Sequence, residues 1–563
     1  MYILTKVVEK EKVVEVTGSL CPECLKIIPA KLVERDGKIW MIKKCPEHGE
    51  FEELYWGDAE LYYKAMKYTV PRRKITNPNV KEVTTCPFSC GLCPLHGNQT
   101  ALANIVATNR CDLSCWYCFF FAERAGFVYE PSLEQIRKMV RVLRQQGPWK
   151  PNAVQITGGE PLLRDDLVEL VKILREEGIV HVQLNTNGLR IFRMWENQGA
   201  DVAVNYVREL RTAGVNTVYL SFDAVSPKNF KNHWEIPFIL EAFRRAGMTS
   251  TVFVPTVIRG FNDDQLGDII DCAARNIDVV RGVNFQPVSI TGSVPREERQ
   301  KLRITTPDVI KLVEKQTEGQ IGREAWRPVT WPYPLSWLIE ELTGKPQFNL
   351  TNVPVCGMAT YVFPKLRKVH GRIEVEGYIP ITDFVDVDAL WDWLMEKAQE
   401  IHNAKGVGKM FKKIKIALYL LIKGLDRFID PSKEPEGLNL RKIIKKIIRK
   451  RSYSALGEFH YKALFLGIMH FMDLYNYDIR RVQRCCIHYL TPDGRIIPFC
   501  AFNVLNEIYR DKLQKEYSIP LSKWKKPFEK HKRDVNKIVK TELYQRFYEP
   551  YFNKYEDFRS SKS

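Results

Sequence analysis

Short apolar runs alternate with charged amphipathic stretches along the chain from residue 103 to about residue 287. The apolar runs predict buried strands at residues 103–108, 153–157, 181–185, 217–222, 250–257 and 282–287. The stretches between them predict amphipathic helices at residues 132–146, 165–177, 202–213, 237–246 and 263–275. Such an alternation is typical of an α/β fold with a parallel sheet.

Residues able to do chemistry follow the carboxyl ends of these strands, where parallel α/β folds bind their ligands. Three cysteines come after the first strand, a Gly-Gly-Glu-Pro sequence after the second, and small polar residues after later strands. These residues are Cys111, Cys115, Cys118, Gly158, Gly159, Glu160, Pro161, Asn187, Ser221, Asp223 and Gln286. For each small polar residue alone, a turn or helix cap is the competing interpretation.

The three cysteines have the spacing C-x3-C-x2-C. Three thiolates on one loop can hold three irons of a cubane 4Fe-4S cluster and leave the fourth iron open. Zinc would require a fourth protein ligand, and no His or Cys follows at the right distance. With Tyr117 before the last cysteine and Gly-Gly-Glu-Pro about 40 residues further on, this loop resembles that of the radical S-adenosylmethionine (SAM) superfamily.

The resemblance implies a partial (β/α)6 barrel in which the open iron of the cluster chelates the amino acid end of SAM. It implies that Tyr117 lies beside the adenine, as the backbone around Gln286 could, and that Gly-Gly-Glu-Pro meets the α-amino group. Asn187, Ser221 and Asp223 would face the ribose and the carboxylate. Reduction by an electron donor such as ferredoxin would then cleave SAM to a 5′-deoxyadenosyl radical.

A separate metal site is predicted near the N-terminus from Cys21, Cys24, Cys45 and His48. These residues form two knuckles joined by a predicted β-ribbon. Four such ligands suit tetrahedral zinc or a mononuclear iron of the rubredoxin kind. A metal of this type usually stabilises a fold or docks a partner.

A second C-x3-C-x2-C sequence precedes the first strand of the array, at Cys86, Cys90 and Cys93, with His96 three residues further on. We interpret it as an auxiliary 4Fe-4S cluster whose fourth ligand is His96 or a distant cysteine. A zinc knuckle with three cysteines and one histidine is the alternative.

Four cysteines beyond the array predict a second auxiliary 4Fe-4S cluster: Cys356, Cys485, Cys486 and Cys500. Auxiliary-cluster extensions of this general kind occur in many radical SAM enzymes, although the spacing here departs from their usual pattern. Buried core cysteines are the competing interpretation.

The 563 residues carry a formal net charge of +18, which indicates an anionic partner. The sequence shows no signal-peptide core, and no stretch approaches the roughly 20 apolar residues needed to cross a bilayer. Cysteines grouped at short spacing, without a secretion signal, favour metal sites over disulfides. We therefore expect a protein of the reducing cytoplasm.

Residues 405–451 are basic and apolar together, with 15 Lys or Arg against 4 Asp or Glu, a net charge of +11. Isoleucines near residues 443–448 form one apolar stripe among cations. Such helices lie at the surface of anionic membranes, so we expect peripheral membrane contact. A helix packed on its own domain is the alternative. Aromatic residues are not interleaved with these cations, so we expect no nucleic-acid partner.

The predicted domains follow from these features. They are a metal ribbon (1–70), a linker with auxiliary-cluster cysteines (71–102), the SAM barrel (103–300), an extension with Cys356 (301–404), basic membrane-contacting helices (405–455) and a helix-rich auxiliary-cluster region (456–563).

The order of these features resembles that of archaeal tetraether lipid synthases. The resemblance implies hydrogen abstraction from saturated isoprenoid chains of an anionic archaeal phospholipid, and their joining by an sp3–sp3 carbon–carbon bond. One alternative is a radical SAM methyltransferase acting on a pterin, which predicts a small polar pocket without lipid. A peptide-maturing enzyme and a non-enzymatic nucleic-acid adaptor are further alternatives.

Overall fold

The computed structural model describes residues 11–82, 85–118, 125–227, 231–422, 424–450, 456–526 and 530–560. In this part of the chain, no helix has both the length and the apolar character needed to cross a bilayer. Residues 423 and 451–455 of the predicted basic segment lie outside the described ranges.

The N-terminal part is a four-stranded antiparallel sheet with its strands in chain order: β1 (Lys12–Leu20), β2 (Ile27–Arg35), β3 (Lys38–Cys45) and β4 (Gly49–Trp56). The β2–β3 hairpin turns at Asp36 and Gly37, whose φ angles of 51° and 67° are the left-handed values that tight hairpins use. Helix α1 (Ala59–Met66) follows and buries Leu61 and Tyr62. The predicted ribbon is confirmed.

The central region alternates strands and helices as predicted. Its elements are β5 (Leu102–Thr108), β6 (Phe127–Val128), α2 (Leu133–Leu143), β7 (Ala153–Gly158), α3 (Leu167–Glu176), β8 (His181–Thr186), α4 (Leu189–Gln198), α5 (Ala200–Ala213), β9 (Val215–Leu220), α6 (Ile236–Ala246), β10 (Thr251–Phe253), β11 (Thr256–Val257), α7 (Leu266–Arg275) and β12 (Val280–Pro287).

Strands β5, β7, β8, β9, β10 and β12 lie side by side in chain order and are all parallel. The α/β prediction is therefore confirmed. The predicted strand at 250–257 is instead two short strands, β10 and β11. Pro255 lies between them, and a proline has no N–H to continue a ladder.

The remainder of the chain adds helices and further strands: α8 (Arg299–Leu302), α9 (Thr306–Gln316), β13 (Arg327–Pro328), α10 (Tyr333–Thr343), β14 (Gly357–Val369), β15 (Arg372–Pro380), α11 (Val387–Asn403), α12 (Gly406–Ile422), α13 (Leu440–Lys450), α14 (Leu456–His460), β16 (Leu464–Met469), α15 (Ile479–Gln483), β17 (Ile487–Leu490), β18 (Ile496–Pro498), α16 (Phe499–Val504), α17 (Arg510–Glu516), β19 (Ile519–Pro520), α18 (Val535–Ile538), α19 (Glu542–Tyr548) and α20 (Asp557–Ser560).

Late strands extend the central sheet at both edges. Strand β16 pairs in parallel with β12, and β14 pairs antiparallel with β16. At the other edge, β17 pairs in parallel with β5. The sequence did not predict these pairings, which bring the late cysteines next to the parallel array.

The two basic helices differ in what their apolar faces contact. On α12, Val407, Phe411 and Ile414 are 68%, 65% and 47% exposed and recur at helical spacing. On α13, Ile443 is only 3% exposed and packs in a cluster with α11 residues. The predicted membrane-facing stripe is therefore wrong at Ile443, because that side chain is buried in the protein's own core.

A buried arginine ties the ribbon to the central sheet. Arg303 Nε donates to Glu53 Oε1 of β4 at 3.1 Å, and its Nη1 donates to Asp473 Oδ2 at 2.6 Å. Burial opposes the charge, but Asp473 and Glu53 outweigh it and raise the pKa of Arg303. A buried cation with two carboxylate partners fixes how the ribbon sits on the sheet.

Replacing Arg303 with Ala leaves the buried carboxylate of Asp473 without its cation and leaves Glu53 with Arg299 alone. We therefore expect the free energy of unfolding to fall by about 3–5 kcal/mol. The measurement is the midpoint of thermal unfolding, with limited proteolysis of the ribbon. The control is Lys301→Ala, because the Lys301 side chain is 81% exposed and lies 3.7 Å from Glu298. An equal fall in the midpoint for both variants would contradict the anchoring role.

Candidate active site

The loop after β5 carries Cys111, Cys115 and Cys118 at the carboxyl edge of the sheet. Cys115 and Cys118 line a cavity of about 310 Å³, and Cys111 borders a second cleft of about 430 Å³. Burial raises the pKa of Cys115 to about 12 and that of Cys111 well above its usual value. Bound iron would favour the thiolates despite this burial. Three sulfurs on one loop fit the predicted 4Fe-4S cluster.

Asp112 anchors this loop to the sheet. Its side chain is fully buried and receives hydrogen bonds from Asn187 Nδ2 at 2.8 Å and from Arg193 Nη1 at 2.7 Å. Asn187 Oδ1 in turn accepts from the N–H of Leu189 at the start of α4. The Asn187 side chain therefore positions the cysteine loop. This role differs from the contact with SAM that the sequence predicted for it.

Gly158 and Gly159 allow the end of β7 to touch the cysteine loop. A Cβ atom at Gly158 would lie 2.1 Å from the carbonyl oxygen of Thr108, and one at Gly159 would lie 2.1 Å from that of Arg110. Gly158 also has a φ of +145°, which side chains rarely adopt. Glycine is therefore required at both positions, because the backbone at the end of β7 lies too close to the backbone of residues 108–110 for a side chain.

The carboxylate of Glu160 faces the protein. It accepts hydrogen bonds from the backbone N–H of Asn187 at 2.7 Å and of Leu162 at 3.0 Å. Burial, with the charge of Asp112 nearby, raises the pKa of Glu160 to about 7. Pro161 begins the short turn that follows. The Glu160 side chain therefore stabilises the loop after β8. The predicted contact with the α-amino group of SAM would have to come from the backbone of this segment.

Tyr117, Asp223 and Lys231 form a buried group at the cavity. The Tyr117 hydroxyl donates to Asp223, and Lys231 Nζ lies 3.0 Å from Asp223 Oδ2 and 5.3 Å from the centre of the Tyr117 ring. Burial favours the neutral amine, but Asp223 and Cys115 outweigh it and raise the pKa of Lys231. Sequence reasoning missed Lys231, because no spacing relates it to the cysteine loop.

The cavity beside Cys115 and Cys118 has mixed walls. Four of the predicted SAM-binding residues line it, namely Tyr117, Gly158, Ser221 and Gln286. The other polar lining residues are Asn104, Gln155, Thr157, Asn185, Lys231, Thr256, Asn284 and Ser289. Much of the apolar and aromatic lining comes from the late part of the chain, through Phe465, Met469, Phe471, Ile487, Tyr489 and Phe499. The C-terminal region therefore completes the site.

Cys21, Cys24, Cys45 and His48 are brought together as predicted, with all four ligand atoms within 4.8 Å of one another. The Cys24 and Cys45 sulfurs are 3.8 Å apart, and His48 Nδ1 lies 3.6 Å from the Cys45 sulfur. Ligands about 2.3 Å from a tetrahedral zinc would lie about 3.8 Å apart. The geometry suits one tetrahedral ion.

Cys86, Cys90 and Cys93 lie in a loop between the ribbon and β5. The Cys90 sulfur lies 3.0 Å from the carbonyl oxygen of Pro87, and burial raises the pKa of Cys86 to about 11. His96 Nε2 lies 2.8 Å from the carbonyl oxygen of Cys485. If His96 is the fourth ligand of the predicted auxiliary cluster, it would therefore bind iron through Nδ1.

Cys356, Cys485, Cys486 and Cys500 line one cavity of about 40 Å³, although they are far apart in the sequence. Burial raises the pKa of Cys486 to about 12 and of Cys500 to about 11. Arg481 Nε lies 3.3 Å from the Cys356 sulfur. The structure thus brings the four predicted thiols together. It also places the buried cation of Arg481 beside them, and the sequence did not predict this cation.

Comparison with known proteins identifies two regions. The family model of the radical SAM superfamily matches residues 105–273, and that of the HMPTM N-terminal zinc ribbon domain matches residues 13–57.

Individual relatives extend these matches. A 7,8-dihydro-6-hydroxymethylpterin dimethyltransferase of Methanocaldococcus jannaschii is 46% identical over 520 residues, covering 91% of this chain and 97% of that protein. A GTP 3′,8-cyclase of Mycobacterium bovis is 32% identical over 194 residues, covering 32% of this chain and 47% of that protein. The crystal structure of methylornithine synthase has a TM-score of 0.29 and 16% identity, covering 40% of this chain and 64% of that one.

The nearly full-length relative corrects the functional prediction. Joining of lipid chains is wrong as the main prediction, because a relative of this identity and coverage is a pterin dimethyltransferase. The more specific resemblance to tetraether lipid synthases is unconfirmed, and the pterin alternative agrees better. The amides that line the cavity also suit a polar molecule better than a saturated chain.

Replacing Cys45 with Ala removes one of four metal ligands, so we expect the protein to lose one bound zinc or iron ion per chain. Metal analysis by mass spectrometry after gel filtration measures this loss. Cys272→Ala is the matched control, since Cys45 and Cys272 are both 1% exposed and Cys272 lies in α7. Unchanged metal content in the Cys45 variant would contradict a site at the ribbon.

Proposed function

Since this chain belongs to the radical SAM superfamily and, within it, to the family of the 7,8-dihydro-6-hydroxymethylpterin dimethyltransferase, we propose that it methylates a reduced pterin. The observation that carries this proposal is the relationship along almost the whole length of both chains. The N-terminal ribbon, the cysteine loop and the late strands are then parts of one enzyme.

The cavity beside the cysteine loop supports a pterin as substrate. Amide side chains offer donors and acceptors to a nitrogen-rich ring, and Tyr489 and Phe499 offer aromatic surfaces against its faces. A long saturated chain would leave the buried amide of Asn104 without a hydrogen-bond partner.

The cysteine loop and the cavity wall provide places for both cofactors. We assign the 4Fe-4S cluster to Cys111, Cys115 and Cys118, and SAM to the part of the wall with Ser221 and Gln286, within a partial (β/α)6 barrel. When bound, the cluster and SAM supply a radical able to remove hydrogen from carbon. The chain itself orients the ring and excludes water from it.

Cells that express this chain should accumulate pterins carrying one or two additional methyl groups. Living cells are the right test because they supply the reductant and the methyl donor. Liquid chromatography with mass spectrometry of oxidised extracts would detect the added CH2 units. The inactive control is Cys118→Ala, and the active control is Cys272→Ala. Identical pterin profiles for the wild type and Cys118→Ala would contradict the proposal.

We propose that the late cysteines hold an auxiliary 4Fe-4S cluster. Support comes from Cys356, Cys485, Cys486 and Cys500, which converge on one cavity from three separate segments. Arg481 beside Cys356 would balance the negative charge of iron-bound thiolates. The loop of Cys86, Cys90 and Cys93 is the place we propose for a second such cluster.

Replacing Cys500 with Ala should lower the iron and sulfide content by about four each per chain, since a cubane rarely survives the loss of a ligand. Anaerobic iron and sulfide analysis measures this, with Cys272→Ala as the control. SAM cleavage by the reduced protein should persist, because Cys111, Cys115 and Cys118 are unchanged. Full iron content in the Cys500 variant would show that these cysteines are structural.

We also propose that an acidic electron donor such as ferredoxin docks at the cleft beside Cys111. Arg110, Arg190, Arg193 and Lys526 line this cleft, together with Asp165. A basic opening next to a cluster ligand would attract and orient an acidic protein.

Contact with an anionic membrane surface is a separate proposal. It rests on the exposed apolar stripe of α12 with Val407, Phe411 and Ile414, and on the lysines between them. A helix with this composition can lie in the membrane interface.

A further inference from the structure

Asn104 occupies the middle of β5 and lines the cavity beside the cysteine loop. It is 1% exposed, and neither Oδ1 nor Nδ2 has a hydrogen-bond partner among the described residues. A buried amide without partners is costly, and Asn is depleted in strands. An apolar residue would serve the fold better here, so the carboxamide indicates a ligand.

Two neighbouring amides on the same wall already have partners. Gln155, which faces Asn104 across the β5–β7 pair, accepts a hydrogen bond from Gln183. Asn185 Nδ2 donates to Thr157 Oγ1 at 3.3 Å. Within the described ranges, Asn104 is the one side-chain amide whose two polar atoms are both buried and without a partner.

We infer that Asn104 recognises the lactam edge of the substrate ring, the adjacent ring N–H and C=O groups. Its Nδ2 would donate to the ring carbonyl, and its Oδ1 would accept from the ring N–H. A carboxamide matches this edge because each carries one donor and one acceptor side by side. The inference rests on the proposed function, which supplies a pterin as the bearer of that edge.

Recognition by Asn104 has a consequence for specificity. When a molecule lacks the hydrogen-bonding group that a pocket is built to bind, the buried polar groups of the pocket stay unpaired. Such a pocket therefore discriminates more strongly than an apolar pocket that distinguishes ligands by shape alone. The site should therefore require the lactam edge.

The test compares Asn104→Leu with wild-type protein, both as reconstituted full-length enzyme. Leucine has the same number and branching of side-chain heavy atoms, with methyl groups in place of the carboxamide oxygen and nitrogen, and it has no polar atom. We expect affinity for 7,8-dihydro-6-hydroxymethylpterin, measured anaerobically by calorimetry, to fall at least about tenfold. We expect the unfolding midpoint of the ligand-free protein to stay the same or rise, because a buried amide is removed.

The matched control is Thr251→Val. Thr251 of β10 is 0% exposed, and its hydroxyl likewise lacks a partner among the described residues, but it is not one of the residues that line the cavity. This variant should bind the pterin as wild-type protein does. A loss of affinity in both variants would attribute the effect to general disturbance of the sheet and would overturn the inference.

A change in the ligand complements the change in the protein. The analogue 2-amino-6-hydroxymethyl-7,8-dihydropteridine lacks the ring carbonyl and the neighbouring N–H. Wild-type protein should bind it at least about tenfold more weakly than the pterin, and Asn104→Leu should bind the two equally. Equal discrimination by both proteins would overturn the inference.

A structural water on Asn104 gives a different pattern. In that case Asn104→Leu would lower the unfolding midpoint and leave the affinity for the pterin unchanged, which would overturn the inference while the proposed function stands. If wild-type protein binds no pterin but binds GTP, whose guanine carries the same edge, and Asn104→Leu loses that binding, the proposed function fails and the role of Asn104 holds.

Discussion

The site depends on close contact between the end of β7 and the loop of three cysteines. The N–H groups of Gly159 and Glu160 donate to the carbonyl oxygens of Thr108 and Arg110, at 2.8 and 2.7 Å. Any side chain at Gly159 would prevent this contact. The loop is therefore fixed by backbone hydrogen bonds, and the buried Asp112 adds a side-chain anchor. A loop held in this way can present its sulfurs without rearranging when iron binds.

Local patterns predicted the parts of the fold that depend on local sequence. The six parallel strands were visible because each is a short apolar run followed by an amphipathic helix, and the cysteine loops because their ligands are neighbours in the chain. The pairing of β16 with β12 and of β17 with β5 was not visible. Those registers depend on packing between distant segments, and an apolar run does not specify its partner. Lys231 and Arg481 were missed for the same reason.

The substrate was predicted wrongly because the prediction rested on features outside the pocket. The cysteine motifs give information on the cofactors that generate a radical, and the basic helices give information on the protein surface. Neither identifies the substrate. Part of that surface is not free, since Ile443 packs inside the protein. The side chains that face the cavity carry the information on the substrate. An asparagine within the apolar run of β5 was the available signal, because a strand interior seldom tolerates one without a partner.

Buried cations accompany two of the cysteine groups. Lys231 lies close enough to Cys115 to lower the pKa that burial raises, and Arg481 contacts Cys356. Beside neutral thiols Arg481 would cost desolvation, whereas Lys231 also has the carboxylate of Asp223 as a partner, 3.0 Å away. Thiolates that hold a cluster carry net negative charge, and a fixed cation then stabilises them and influences the reduction potential. The position of Arg481 beside Cys356 therefore supports the proposed auxiliary cluster, and Lys231 would be shared between Asp223 and the thiolates of the proposed SAM cluster.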